Sequence, residues 1–258
     1  MLNIIVCIKS VPGNIAGVNI GKDGKSLEPA VRSYCINETD EYAIDEALVL
    51  RSKFGGQVTV LSAGPMAAEE KLQTAVAKGA DKAIRLDLNS NDPGTVALAL
   101  SEAVRKLKFD LILTGLESSD NLAAQVGTAL AEKLGIPFIF AATGIEILAD
   151  LKTAKVTKEL GNAVYQVVEV NWPVLISTQT GIQKLTYAPV AKLLQARRRG
   201  IDCIKAAELP LTQEALKNSS PWRYVEVFQI KKKHSVTQLN GTPREIAAGL
   251  KVKIKEAL

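Results

Sequence analysis

Residues 57–86, QVTVLSAGPMAAEEKLQTAVAKGADKAIRL, contain the pattern that decides the fold. The short run at 57–61 predicts a strand, and residues 66–78 have the composition of a helix that Gly79 can end. A second run at 82–86 predicts another strand directly after that helix. Two strands joined in this way are typical of parallel neighbours linked by a right-handed crossover.

The same alternation continues on both sides of this unit. The other predicted elements are strands at 3–8 and 110–114 and helices at 38–54, 94–107 and 121–134. Gly55 and Gly56 follow the first of these helices and can end it. The repeated order of strand and helix indicates an α/β fold. We expect an open, mostly parallel, Rossmann-like sheet with helices on both faces.

The alternation stops after Pro137. Short strand-like segments then follow one another without helices, and we predict that they form an antiparallel or mixed extension of the sheet, at 138–142, 145–148, 155–159, 164–170 and 174–178. Beyond residue 180 the chain is less periodic until a helix at 243–257, which Thr242 can cap. We therefore divide the chain into an α/β domain at 1–180 and a C-terminal arm at 181–258.

Composition and charge exclude several function classes. No apolar run approaches the roughly 20 residues that a bilayer-spanning helix needs, so no membrane insertion is expected. The net charge is +5, but only 5% of residues are aromatic, so the basic clusters at 197–199 and 231–233 lack a stacking platform for nucleic acid. They predict a solvated face or a surface for an acidic protein partner. Three widely separated cysteines predict a reduced, cytoplasmic protein without a zinc site or disulfide framework.

Motifs of self-contained catalysis are missing. The sequence has no GxGxxG after the first strand, no GxxxxGK[ST] and no GxSxG. Its one histidine, His234, lies in a lysine-rich segment, so a hydrolase would lack a base. The acidic residues Asp40, Glu41, Asp45 and Glu46 are predicted to form solvated helix faces. No catalytic residue is assigned, and a binding or carrier role is favoured.

Three loops can hold a ligand, because ligands of open parallel sheets bind beyond the carboxyl ends of the strands. These loops follow Ile8, Leu61 and Thr114, and the third reads GLESSDNLAAQVGT at 115–128. Small residues before a helix leave backbone N–H groups free for a phosphate. Alternatively, Asp120 or Asn121 caps an ordinary helix there. Gly127 fits either a close ligand or tight packing against the sheet.

The chain resembles the beta subunit of electron-transfer flavoproteins over essentially its whole length. The matching segments are IVCIK with VP at the first strand and loop, NETDEYAIDEALVL at 37–50, the segment 61–81 with its GP and KGAD, the loop at 115–127, and 173–199 with Tyr187. Each segment alone is weak, but five in the right order are specific.

The resemblance implies a heterodimer in which an alpha subunit holds FAD and the beta subunit binds AMP, or a second FAD in electron-bifurcating members. The heterodimer would carry electrons between flavin-dependent dehydrogenases, of the acyl-CoA dehydrogenase type, and an acceptor. The domain at 1–180 would bind the nucleotide, and the arm would contact the alpha subunit. Val190 corresponds to an apolar anchor for the dehydrogenase, although it could also simply pack the arm. The implied cofactor-binding residues are Cys7, Asn37, Glu38, Thr39, Ala63, Gly64, Asp120, Asn121, Ala124, Gln125, Val126, Gly127 and Thr128.

Some residues depart from the family pattern. Glu38 replaces a proline, and Leu116 and Glu117 replace a basic residue and a glutamine. The missing positive charge weakens the case for a second flavin, whereas the segment from Gln125 to Gly127 resembles the bifurcating and nitrogen-fixation-linked branches, so AMP and FAD both stay open. An alternative function is a stand-alone adenine-nucleotide-binding regulator of the universal-stress type, which would not need the arm. An adenylate-forming enzyme is disfavoured, since no SGGxDS-like loop occurs.

Overall fold

The computed structural model describes residues 1–13, 15–24, 27–31, 33–219, 225–228 and 236–257. The basic cluster predicted at 231–233 and His234 lie outside the described residues. Among the described residues, none of the helices combines the length and apolar character required to cross a membrane.

A nine-stranded sheet forms the centre of the molecule. Its strands are β1 (Leu2–Cys7), β6 (Gly56–Gly64), β7 (Lys82–Asp87), β8 (Leu111–Gly115), β9 (Phe138–Ile147), β10 (Thr153–Gly161), β11 (Val164–Asn171), β12 (Val174–Thr178) and β13 (Asp202–Lys205). Their spatial order is β11-β10-β9-β12-β8-β1-β6-β7-β13. In this spatial order, all neighbouring strands from β9 through β12, β8, β1, β6 and β7 to β13 are parallel. The strands β10 and β11 add an antiparallel extension beside β9. The predicted fold class is confirmed.

Helices cover both faces of this sheet. The described helices are α1 (Glu38–Phe54), α2 (Glu69–Lys78), α3 (Pro93–Val104), α4 (Val126–Leu134), α5 (Val190–Arg199), α6 (Gln213–Asn218) and α7 (Pro243–Ala257). The core side chains of α1 and α2 pack on one face and those of α3 and α4 on the other. Along β1, Ile4 and Val6 point to the first face, and Ile5 and Cys7 point to the second. A strand buried on both faces explains the continuous apolar run at the start of the sequence.

Two strand predictions after Pro137 are wrong in detail. Residues 138–147 form one strand, not two. The strand β12 does not extend the edge but lies between β9 and β8, and all five of its residues are buried. Only β10 and β11 form the antiparallel edge. A fully buried run such as VLIST suits a central parallel strand better than an edge.

The connection between β1 and α1 was not predicted to contain strands. It holds two small antiparallel pairs, β2 (Ser10–Pro12) with β5 (Tyr34–Ile36), and β3 (Ile15–Ile20) with β4 (Leu27–Val31). The excursion starts at the carboxyl end of β1 and returns to the start of α1. It therefore lies beside the edge of the sheet where a ligand is expected.

The segment beyond residue 180 returns to the sheet. Helix α5 packs against α2, and β13 then pairs in parallel with β7 at the sheet edge. The sheet thus includes residues from the arm, and the division at residue 180 stays a prediction. The capping box of α7 is confirmed, because the backbone N–H of Thr242 donates to Glu245 Oε2 at 2.7 Å and the Thr242 hydroxyl accepts from the N–H of Glu245 at 3.4 Å.

Candidate functional site

The three predicted loops lie side by side, because β6, β1 and β8 are neighbours in the sheet. Cys7, the last residue of β1, pairs with Leu61 of β6 on one side and with Thr114 of β8 on the other. The chain passes from β1 to β6 on one side and later crosses back to β8 on the other side. The carboxyl ends of β1 and β8 therefore flank the point where strand order reverses, which is where ligands of such sheets bind.

Asp40 joins the loops that follow β1 and β8. Its Oδ2 accepts a hydrogen bond from the backbone N–H of Lys9 at 2.7 Å, and its Oδ1 accepts one from the backbone N–H of Gly115 at 2.9 Å. The side chain is buried, and this burial raises the pKa of Asp40 to about 7 against the opposing effect of the hydrogen bonds. One carboxylate in the first turn of α1 therefore holds two strand ends together.

Asn37 and Thr39 connect the same helix start to the third loop. Asn37 Nδ2 donates to the carbonyl of Glu117 at 2.8 Å, and Asn37 Oδ1 accepts from the N–H of Ser119 at 3.0 Å. The Thr39 hydroxyl donates to the same Glu117 carbonyl at 2.9 Å. Both side chains are buried and engaged with the protein, so they shape the loop.

Gly115 is required by the close approach of α1. A Cβ atom at this position would lie 2.2 Å from both Asp40 Oδ1 and Thr39 Oγ1. Such a distance is far inside van der Waals contact, so any larger residue would push the helix start away from β8. The glycine that opens the third loop therefore serves this packing.

Lys9 and Asp120 connect the first and third loops nearer the surface. Lys9 Nζ lies 2.7 Å from Asp120 Oδ1 and 3.2 Å from the Ser118 hydroxyl. Burial acts to raise the pKa of Asp120, but hydrogen bonds from Lys9 and Ser118 and the Lys9 charge outweigh it and hold the pKa below its ordinary value. Asp120 is therefore an ionised partner of Lys9 and not a helix cap.

Helix α4 begins at Val126, five residues after the predicted start. Asn121 does not cap it either, because its Oδ1 accepts from the Ser118 hydroxyl at 2.7 Å and organises the loop. The residue at the N-cap position is Gln125, which makes no side-chain hydrogen bond to the helix. The first-turn N–H groups of Val126, Gly127 and Thr128 have no partner within a helix and are available to an anion.

Gly127 fits the packing interpretation. A Cβ atom there would lie 3.1 Å from Thr114 Oγ1 and 3.4 Å from Phe138 Cε2, so the glycine lets α4 lie close to the sheet. Thr114 Oγ1 is buried and has no hydrogen-bond partner among the described residues. An orphaned hydroxyl directly beneath the helix start gives this end of the sheet an unsatisfied polar atom.

The remaining predicted residues have distinct positions. Glu38 is exposed at the first position of α1, Ala63 and Gly64 end β6, and Ala124 lies in the third loop with a positive φ of 51°. A groove of 610 Å³ opens beside the first turn of α4, lined by Gly94, Ala124, Gln125, Thr128, Ala129, Ala131, Glu132, Ile136, Phe138 and Ser219. It runs along α4 and adjoins the third loop at Ala124 and Gln125.

Cys7 cannot act as a nucleophile here. Burial, followed by the charge of Asp40, raises the pKa of the Cys7 thiol to about 12. The thiol is neutral at physiological pH, and its position between β6 and β8 makes it a small apolar wall of the site.

The prediction that Asp40, Asp45 and Glu46 form solvated helix faces is wrong. Asp40, Asp45 and Glu46 are all buried. Asp45 lies 2.9 Å from Lys78 Nζ, and Glu46 accepts from Gln183 Nε2 at 3.1 Å. Buried charges need such partners, and here the partners come from α2 and from the segment after β12.

Val190 is not part of this site. It is the first residue of α5, with 74% of its surface exposed, and it follows the exposed Tyr187. Asp40 was not predicted to join these loops. Lys9, Gly115 and Ser118 lie in the predicted loops but were not among the predicted cofactor-binding residues. Their signal in the sequence is weak, since their partners come from loops far apart in the chain.

The chain is similar to proteins of one family. Residues 30–209 match the model of the electron transfer flavoprotein domain. The chain is 37% identical over 199 residues to the electron transfer flavoprotein subunit beta of Clostridium acetobutylicum, covering 76% of this chain and 75% of that protein. It is 28% identical over 252 residues to the subunit of the same name from Methylophilus methylotrophus, covering 96% of each. It is 32% identical over 262 residues to the acryloyl-CoA reductase electron transfer subunit gamma of Anaerotignum propionicum, covering 95% of this chain and 94% of that protein.

Proposed function

Because this chain belongs to the electron-transfer flavoprotein family, as a beta subunit, we propose that it pairs with an alpha subunit and binds an adenine nucleotide at the loops after β1, β6 and β8. The flavin held by the alpha subunit supplies the redox chemistry of the pair. The residues of this chain bind and orient the nucleotide and support the dimer. Its free cysteines support a cytoplasmic location.

The uncapped start of α4 is the observation that carries this proposal. The N–H groups of Val126, Gly127 and Thr128 offer a phosphate three donors at the positive end of a helix. The buried Thr114 hydroxyl beneath them lacks a partner among the described residues, which fits a polar ligand nearby. The small residues Cys7 and Gly64 leave room for the adenine beyond β1 and β6.

AMP and a second FAD share the same AMP moiety, and the proposal is limited to that moiety. Leu116 and Glu117 place no positive charge in the third loop, and Lys9 is already paired with Asp120 at 2.7 Å. Helix N–H groups therefore do most of the phosphate binding. A second FAD would make the chain part of an electron-bifurcating complex.

The partner-docking role of Val190 is a second part of the proposal. An exposed apolar side chain at the start of a helix, next to the exposed Tyr187, fits an anchor for a flavin-dependent dehydrogenase of the acyl-CoA dehydrogenase type. The arm beyond residue 180 supports a subunit over a stand-alone regulator. Along α7, Ile246, Leu250 and Ile254 are exposed at helical spacing, which suits contact with the alpha subunit.

Counting the nucleotides of the purified heterodimer tests the proposal. We expect one FAD and one AMP per heterodimer, or two FAD, after acid release and chromatography. One FAD without AMP would contradict nucleotide binding by this chain. A stable monomer that binds ATP without an alpha subunit would favour the universal-stress regulator.

A further inference from the structure

Asp40 joins the loop after β1 to the loop after β8 through its carboxylate. We propose that Asp40 is a positioning residue: its carboxylate sets the spacing between the loops after β1 and β8, and the affinity for an AMP moiety depends on that spacing. The inference rests on the proposed nucleotide site. Asp40 itself lies beneath the loops and need not touch the ligand.

The geometry requires both carboxylate oxygens. Oδ2 accepts from Lys9 at 2.7 Å and Oδ1 accepts from Gly115 at 2.9 Å, so each oxygen binds one loop. Asp40 is only 6% exposed, so water cannot readily replace either oxygen. An asparagine has the same shape but only one acceptor, and its NH2 group would face one of the two N–H donors.

The contact between Asp40 and Gly115 affects the position of the phosphate-binding end of the third loop. Gly115 opens the third loop, and Asn37 and Thr39 hold Glu117 and Ser119 two and four residues further on. Displacing Gly115 from Asp40 would therefore move the loop that leads into the first turn of α4.

Helix α1 provides a rigid base for this contact. The Thr178 hydroxyl of β12 donates to the carbonyl of Thr39 at 3.1 Å, in a fully buried position. The start of α1 is therefore attached to β12 as well as to the loops after β1 and β8. Asp40 can hold these loops at a fixed distance because its own backbone is held by a third strand.

Asp110 offers a matched control at the opposite end of the same two strands. Its Oδ2 accepts from the N–H of Asn3 at 2.7 Å and from Asn3 Nδ2 at 3.2 Å, so it also joins β8 to β1. It lies at the N-terminal edge of the sheet, far from the loops. Asp110→Asn weakens the same strand pair without changing the spacing of the loops.

The test measures AMP binding by nucleotide-depleted heterodimers at pH 8. Relative to wild type, Asp40→Asn should raise the Kd for AMP about tenfold, the loss expected when one charge-assisted hydrogen bond is missing. Asp110→Asn should leave the Kd within about twofold. Asp40→Glu restores two acceptor oxygens and should recover at least about threefold of the lost affinity, although glutamate fits the space less well than asparagine. Hydrogen exchange of peptides containing Gly115 should accelerate in Asp40→Asn only.

Loss of the nucleotide site and loss of the positioning role predict different results. If the wild-type heterodimer binds neither AMP nor a second FAD, the nucleotide site is wrong. If wild type binds AMP and Asp40→Asn binds it equally well, the positioning role is wrong. A Kd that rises more in Asp40→Glu than in Asp40→Asn would show that Asp40 only fills space, and would also overturn the inference.

Discussion

Asp45 accepts two hydrogen bonds from Thr186, one from its backbone N–H at 2.9 Å and one from its hydroxyl at 2.6 Å. Lys78, whose side chain is 1% exposed, lies 2.9 Å from the same carboxylate and also pairs with Glu41. The contact joins α1, α2 and the segment that leads to Val190. We therefore expect the position of the proposed docking residue to depend on this partly buried network, which lies four residues before it.

Thr186→Val should weaken docking without affecting the nucleotide. The valine keeps the shape but removes the hydroxyl donor to a charged acceptor, which is worth about 1.5–3 kcal/mol. We expect the KM for an acyl-CoA dehydrogenase that reduces the wild-type heterodimer to rise about threefold to tenfold. Thr74→Val, on the surface of α2, serves as the control. An unchanged KM would show that the network does not position the docking segment.

Val190→Ala should lower electron transfer from the same dehydrogenase. Truncating an apolar anchor at an interface costs more than about 1 kcal/mol, so kcat/KM should fall about fivefold to tenfold. Val225 is equally exposed, at 74%, and Val225→Ala should leave kcat/KM unchanged. Equal effects of the two substitutions in stopped-flow traces would mean that Val190 is an ordinary surface residue.

Gly115→Ala should disrupt the nucleotide site. The added Cβ would lie 2.2 Å from Asp40 Oδ1, and overpacking of this kind costs about 1–3 kcal/mol or more. Thermal unfolding should shift to lower temperature, and the nucleotide content of the heterodimer should fall. Gly144→Ala is the control, because its Cβ would be 3.8 Å from Thr157 Cβ, an ordinary contact. A normal nucleotide content in Gly115→Ala would show that the nucleotide site does not need the close approach of α1 to Gly115.

Asp120→Asn should weaken AMP binding and leave the global stability of the protein nearly unchanged. The Lys9–Asp120 pair is about one-third exposed on the lysine side, with side-chain exposures of 32% and 26%, so its net stabilisation is about 1 kcal/mol or less. Urea unfolding should therefore change little. The Kd for AMP, measured by calorimetry, should rise a few-fold, since the third loop loses its link to the first. A large loss of stability with unchanged AMP binding would show that the Lys9–Asp120 pair stabilises the fold and does not order the loop for AMP.

The stability of the protein should depend on pH through Asp40. Burial raises the pKa of Asp40 from 3.8 to about 7 in the folded state. A raised pKa means that the protonated form favours folding, so this contribution is fully present below pH 3.8 and is lost as the pH rises to about 7. Its total is on the order of 4 kcal/mol. Asp40→Asn lacks this titration.

Urea unfolding of wild type and of Asp40→Asn between pH 4 and pH 8 checks the predicted pH dependence. The free energy of unfolding of wild type minus that of Asp40→Asn should fall as the pH rises through this window. A difference that stays constant would show that Asp40 does not titrate there.

Much of the fold could be predicted from local sequence patterns. Helix α1 begins at Glu38 and ends at Phe54, as predicted, because Gly55 with φ 69° ends it locally. The place of β12 could not be predicted in this way. Its apolar run indicates a buried strand, but the choice between centre and edge depends on pairing with β8, more than fifty residues earlier.

The site was predicted less completely than the fold. The start of α4 was misplaced because Asp120 and Asn121 have the composition of a cap, whereas Lys9 and Ser118 already occupy them. Asp40 was taken for a solvated residue because a single helix cannot reveal two N–H donors that come from distant strands. Contacts between loops decide the chemistry here, and local sequence carries little information about them.

The strand β13 follows the other described strands in the chain but borders β7 in the sheet. During synthesis, β7 therefore keeps an open edge until residues 202–205 have emerged from the ribosome. An open edge can pair with a strand of another unfinished chain. Prematurely terminated copies of this polypeptide should consequently aggregate, and quality control by chaperones would act on the interval before the C-terminal segment arrives.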